Sequence, residues 1–347
     1  MFAVEKLLLY SIRLPLMGSP ATLKKISTQL NISISTVSRA LKNHPDISEN
    51  TKRKVKELAL LMEYEPNSYA VNLRTNKSRV FGLIVPVISN LFYDSFIAAV
   101  EEEARKNGYS LIILQSGDDP LQEAENLKLC KLNRVDGVFI SLVPESNSGP
   151  LYNKFKETGT PVIFFDKVPE DTGFDTICMA DEEAATLAAN TILKYKKKKV
   201  LALLGNPDLS ITRKRKDAFL KVFEKEKSPP TLDIRHCLNS AEARKITAEV
   251  LGKKNSPDHI FCMSDELLIG AMKSIYQTDL HIPDDISVLA ISNGFIPGLY
   301  KPEVTYIETS GFELGKLSVK RMLENMEGPT ASRSIILPSR LVVGGSL

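Results

Sequence analysis

No run of eighteen apolar residues occurs in this chain of 347 residues. A membrane-spanning helix needs about that length, so none is expected. Cysteine is scarce: Cys130, Cys178, Cys237 and Cys262 lie far apart and form no C-x-x-C pair. Each sits in or beside an apolar stretch, which points to buried free thiols and a reducing compartment. The four histidines, His44, His236, His259 and His281, show no metal-ligand spacing, so no metal is expected. The sequences G-x-x-x-x-G-K-[ST], H-E-x-x-H and G-x-S-x-G are all missing. Without them the chain reads as a non-enzyme that needs no cofactor. No heptad repeat follows Met326, so no coiled-coil tail is expected.

What is present is organised in two parts. The net charge is only +3, but between Met17 and Arg79 eleven Lys/Arg stand against five Asp/Glu. A basic head on a mildly acidic body suits contact with a polyanion. Residues 1–20 read as a leader, disordered or the product of a mis-assigned start. Their apolar Leu7–Tyr10 is interrupted by Arg13 and Pro15, with no cleavage site after it. From Thr22 three helices follow, each opened by a capping hydroxyl. Thr22 precedes Leu23, Ile26 and Leu30, spaced three and four apart. Ser33 opens a short helix, Ile34–Leu41. Ser48 opens a longer one, Glu49–Met62, with Val55, Leu58 and Met62 on one face. Arg74–Arg79 is polar and basic and reads as a linker.

At Val80 the grammar changes. Continuous apolar segments such as Val80–Pro86, Gly137–Leu142, Val200–Leu204 and Ser287–Ile291 alternate with amphipathic helices such as Phe92–Lys106 and Phe312–Met326. That alternation predicts parallel sheets covered on both faces. About nine strands are expected, in two sheets with a ligand cleft between them.

Two short helices joined by a three-residue turn and backed by a third form the plan of a helix-turn-helix, whose second helix enters the major groove. Ile34, Ser35, Arg39 and Lys42 are its predicted exposed side chains. Arg39 can donate twice to guanine O6 and N7. Ser33, Thr36 and Ser38 suit phosphate contacts beside the backbone N–H groups of a helix N-terminus. A three-helix interaction module with a solvated Ser/Thr face is the plainer alternative.

Three linked features narrow the choice: the opening Thr22-x-x-x-Ile26, the core Ser33-x-x-Thr36-Val37-Ser38-Arg39, and Tyr64-x-Pro66-Asn67. With this spacing the chain resembles the lac repressor family of bacterial regulators, more loosely to about Gly344. The resemblance implies a helix-turn-helix domain at 21–66, a hinge helix and linker at 67–79, and an effector-binding and dimerisation domain at 80–347. That larger domain would have two interleaved Rossmann-like subdomains, like periplasmic sugar-binding proteins. Asn67 would cap the hinge helix, Ala70 would let two hinges approach, and Leu73 would wedge into the minor groove. In the cleft, Phe92 or Tyr93 would stack on a sugar ring. Asp166, Asp181, Arg215 and Asp265 would grip its hydroxyls, with Asn293 beside them.

The implied protein is a cytoplasmic, nucleoid-associated repressor that binds a near-palindromic operator as a dimer, with pairing into a tetramer left open. Its effector would be a sugar or sugar phosphate. Departures bear on that effector. Ser292 stands where the family has an acid, Thr309 where it has glutamine, and Gly344-Gly345-Ser346 replaces its R-x-S ending. Lys214, Arg215 and Lys216 together would suit an acidic ligand. The rival reading is a periplasmic-type sugar-binding protein without DNA binding, and Thr22–Leu73 separates the two.

Overall fold

The computed structural model describes residues 21–65, 77–143, 145–169, 173–328 and 331–347. Two compact units divide at Asn76. The hinge positions Asn67, Ala70 and Leu73, and the leader 1–20, lie outside the described residues.

The head is three helices. α1 (Leu23–Leu30) begins where Thr22 Oγ1 accepts the Lys25 N–H at 3.2 Å, and stops at Asn31, which adopts φ 53°. α2 (Ile34–Leu41) is capped by Ser33 and α3 (Glu49–Leu61) by Ser48. These three predicted caps therefore form, because each hydroxyl satisfies an N–H that the first helical turn leaves open. Ile26, Val37, Ala40, Val55 and Ala59 make the small core, with Leu23, Leu30, Leu41, Leu58 and Met62 around it.

The body starts with β1 (Val80–Val85), α4 (Leu91–Lys106), β2 (Ser110–Gln115), α5 (Pro120–Leu132), β3 (Gly137–Ile140), α6 (Gly149–Glu157), β4 (Val162–Phe165) and β5 (Asp175–Met179). The chain then crosses to a second subdomain. This holds α7 (Asp181–Lys194), β6 (Lys199–Leu204), α8 (Ser210–Phe223), β7 (Thr231–His236), α9 (Ser240–Leu251), β8 (His259–Cys262), α10 (Asp265–Ile275), β9 (Ser287–Ser292) and β10 (Thr305–Glu308). It returns with α11 (Gly311–Glu327) and β11 (Ser334–Leu337) to the first subdomain, and ends with β12 (Arg340–Val342) in the second.

The two six-stranded sheets run β11-β5-β4-β3-β1-β2 and β12-β10-β9-β8-β6-β7. Every pairing is parallel except β10 with β12. The subdomains repeat even in detail. Asp136, just before β3, accepts the backbone N–H groups of Ser78 and Arg79. Asp258, just before β8, accepts those of Lys198 and Lys199.

The described residues hold twelve strands, not about nine. β5, β10, β11 and β12 lack the continuous apolar runs that mark the central strands. β5 alternates buried and half-buried residues, and β11 alternates exposed and half-buried ones.

One polar contact pins the return of the chain to the first sheet. Arg321 on α11, 1% exposed, donates to Asp175 of β5 at 2.8 Å and to the Ala331 carbonyl at 2.7 Å. Asp175 also accepts the Arg333 N–H, next to β11, and the Asn325 amide. A charge this deeply buried is costly once its partner is gone. Asp175→Ala is expected to destabilise the body by about 3–5 kcal/mol, read as a lowered denaturant midpoint; a shift worth under about 1 kcal/mol would show that the pair is not what holds β11.

Candidate functional site

In the head, burial sorts α2 into two faces. Val37 and Ala40 are fully buried, which turns Ile34, Ser35, Arg39 and Lys42 outward. All four predicted exposed side chains are exposed, Ile34 at 47%. Ser33 Oγ lies 2.7 Å from Ser35 Oγ and 2.8 Å from Thr36 Oγ1, and accepts the Thr36 N–H at 3.0 Å. A cluster of hydroxyls thus sits at the positive end of a helix, where anions are favoured. Arg39 is only loosely paired, 4.0 Å from Asp46, and both side chains are more than half exposed. A pair so placed is weak and leaves the guanidinium available. The Asp46 contact was not legible in the sequence.

In the body, the carboxyl ends of the strands supply the cleft. Asp166 follows β4 with φ 58°, a left-handed conformation that side chains other than glycine seldom hold. Its Oδ2 accepts the Tyr93 hydroxyl at 2.6 Å, and the same hydroxyl lies 3.2 Å from Ser141 Oγ. Burial pushes the Asp166 carboxyl above its ordinary range; the Tyr93 hydrogen bond opposes this, and nearby Asp181 adds to it.

Asp181 opens α7. Arg215 of α8 donates to its Oδ1 through Nε at 2.9 Å, with Nη2 2.7 Å from the same oxygen, and donates through Nη1 to the Met263 carbonyl at 3.1 Å. Asp166, Asp181 and Arg215 therefore gather where the two subdomains face each other.

The other expected residues are placed differently. Tyr93 is 5% exposed and its ring meets Phe165 edge-on. It holds Asp166, while Phe92 keeps a partly exposed ring. Asp265 is 7% exposed, with its oxygens taken by the Ser292 hydroxyl and the Asn293 N–H. Burial raises its carboxyl too, against those two bonds. The Asn293 amide bonds to Leu91, Ser95 and Gly311. Ser292, standing in the place of an acid, thus acts as a donor to Asp265. Lys214 lines a groove between α7 and α8 with Glu182, Asp217 and Lys221. Sequence reasoning missed Ser95 and Ser141, because small polar residues carry no pattern.

The comparisons with known proteins fit both units. Residues 22–67 match the family of bacterial regulatory proteins of the lacI type. Residues 81–329 match the periplasmic binding protein domain. The chain belongs to the lacI family of transcription regulators. It is 25% identical over 317 residues to the HTH-type transcriptional repressor PurR of Aliivibrio salmonicida, covering 91% of this chain and 95% of that one. It is 25% identical over 325 residues to a ribose operon repressor of Halalkalibacterium halodurans, covering 93% and 96%.

Among solved structures, the lac repressor dimer bound to operator and the anti-inducer ONPF superposes with a TM-score of 0.83. That match has 22% identity and covers 94% of this chain and 99% of that one. A lacI-family regulator from Enterococcus faecium with bound ribose gives 0.68 at 23% identity, covering 77% and 98%. The matched head favours this lacI-family regulator over a free-standing solute-binding protein. Among the described residues no helix is long and apolar enough to cross a membrane.

The raised Asp166 carboxyl has a stability consequence. A folded-state value above the unfolded one means the ionised group favours the unfolded chain. Asp166→Asn is therefore expected to raise the thermal midpoint at pH 7. The gain should shrink as pH falls through the raised value and vanish below the ordinary aspartate range, near about 3.9. Equal midpoints at pH 7 would contradict the burial argument.

Proposed function

We propose that the chain is a dimeric repressor whose α2 reads a near-palindromic operator and whose cleft binds a small polyhydroxylated effector. The observation that carries this reading is the outward face of α2, Arg39 with Ile34, Ser35 and Lys42, on the same chain as a two-subdomain cleft holding Arg215 and Asp181. Arg39 takes the base-reading role. Ser33, Thr36 and Ser38 take phosphates, as do the N–H groups at the start of α2. By the family resemblance, Asn67, Ala70 and Leu73 form the hinge that kinks the central step. Such a protein works in the cytoplasm, on the nucleoid, and needs no catalytic group.

For the effector, Arg215 and Asp181 offer paired donors and acceptors to adjacent hydroxyls, with the open edge of Asp166 beside them and Phe92 as the apolar surface. Arg215 is already matched by Asp181. That balance favours a neutral sugar over a sugar phosphate. The relatives named for ribose make a pentose the first probe.

The test begins with selection of binding sites from random DNA by the full-length protein. Arg39→Ala should cost about 1–3 kcal/mol of discrimination at one base pair of each half-site, and Leu73→Ala should weaken binding without changing the preferred bases. Retention of full affinity and selectivity by both variants would sink the DNA-reading assignment. For the cleft, D-ribose is expected to raise the thermal midpoint of the wild type more than ribose 5-phosphate does, and Arg215→Ala to abolish the shift. The reverse order of the two ligands would reassign the cleft to an anion.

A further inference from the structure

Asn293 directly follows β9 in the second subdomain, yet its side chain is committed to the first. Nδ2 donates to the Leu91 carbonyl at 3.2 Å and to Ser95 Oγ at 2.8 Å. Oδ1 accepts the Gly311 N–H at 2.8 Å and lies 3.1 Å from Ser95 Oγ. Leu91 and Ser95 belong to α4, and Gly311 is the first residue of α11. One amide therefore joins a strand of one subdomain, a helix of the other, and the segment that crosses between them. Both of its polar atoms are used, so little is left for the ligand contact implied by the family resemblance.

The surroundings make this tie stiff. The Asn293 N–H donates to Asp265 Oδ2 at 2.8 Å, and Ser292, which also donates to Asp265, accepts the Gly294 N–H. The Leu91 side chain packs against the hydrophobic core of the second subdomain. Only glycine fits at 311: a Cβ there would lie 2.5 Å from the Phe92 carbonyl oxygen and from Ser95 Oγ. The other two crossovers hold each other, through the Ala180 N–H on the Leu337 carbonyl and the Ser339 N–H on Glu183. The β10-to-α11 crossover is held instead by Asn293 on the Gly311 N–H and by the Ser292 carbonyl, which accepts the Thr309 N–H and hydroxyl.

The same turn of α4 also carries Tyr93, the donor to Asp166 in the cleft. A ligand that moves Asp166 pulls on Tyr93, and through α4 on Ser95 and Asn293. We infer that Asn293, with Ser95 as its partner, is a positioning residue that sets the angle between the subdomains and couples the cleft to the β10–α11 crossover. The inference rests on reading the cleft as the effector site. Packed segments joined in this way move between discrete arrangements instead of bending continuously.

The test uses full-length Ser95→Ala, Asn293→Asp and the double variant. Asp at 293 keeps an acceptor for Gly311 but cannot donate to Leu91. Hydrogen exchange by mass spectrometry, without ligand, should quicken in residues 305–314 as well as 89–97 in Ser95→Ala, although Ser95 makes no bond to the Gly311 N–H. Operator affinity should shift about fivefold or more, in the same direction for both single variants. The double variant should shift by less than the sum of the two single shifts, because both variants remove the bond from Asn293 Nδ2 to Ser95 Oγ. Faster exchange confined to 89–97, affinity shifts of opposite sign, or quickened exchange across both sheets would each overturn the assignment. A wild-type chain that selects no DNA would instead defeat the regulator reading, and the exchange pattern would still decide the tie.

Discussion

A parallel sheet has to be covered on both faces and its strands joined by long crossovers, and the body of this protein follows from that constraint. Each crossover helix starts just beyond the carboxyl end of a strand. The strand-end loops therefore gather along one edge of each sheet, and two such edges facing each other make a cleft. Asp166 after β4, Asp181 at the start of α7, and Asp265 at the start of α10 all occupy such places. The chain passes between the subdomains three times. That arrangement lets two rigid halves turn about a narrow set of segments, and Asn293 bonds one of them.

The cleft divides its labour. Arg215 and Asp181 are matched in charge and keep unused hydrogen-bonding capacity. Tyr93 and Ser292 use their hydroxyls to hold carboxylates that burial would otherwise drive toward the neutral form. A buried carboxylate is tolerable when it is hydrogen-bonded. The replacement of an acid by Ser292 is therefore not simply a lost contact. It spares Asp265 a like-charged neighbour and supplies the donor that Asp265 needs. The head is simpler: a small apolar core suffices to orient one polar helix face, with three capping hydroxyls fixing where the helices begin.

Much of this was legible in the sequence. Thr22, Ser33 and Ser48 marked helix starts because a short hydroxyl side chain meets a local need, three residues away. The central strands announced themselves because burial on both faces demands unbroken apolar runs. Edge and return strands did not. β12 has three residues and β11 is half exposed, so neither needed an apolar signature. The partners of Asn293 were beyond reach for another reason: Ser95 lies 198 residues away in the chain.

The sequence by itself determined the helix-turn-helix, its outward residues and the alternating body, since each depends on local spacing and burial period. Only the tertiary structure decided which polar residues keep hydrogen-bonding capacity in the cleft and which spend it on the frame. Arg215, Asp181 and Asn293 are all ordinary polar residues in sequence. Their roles diverge because folding leaves capacity open on the first two and satisfies the third across a subdomain boundary.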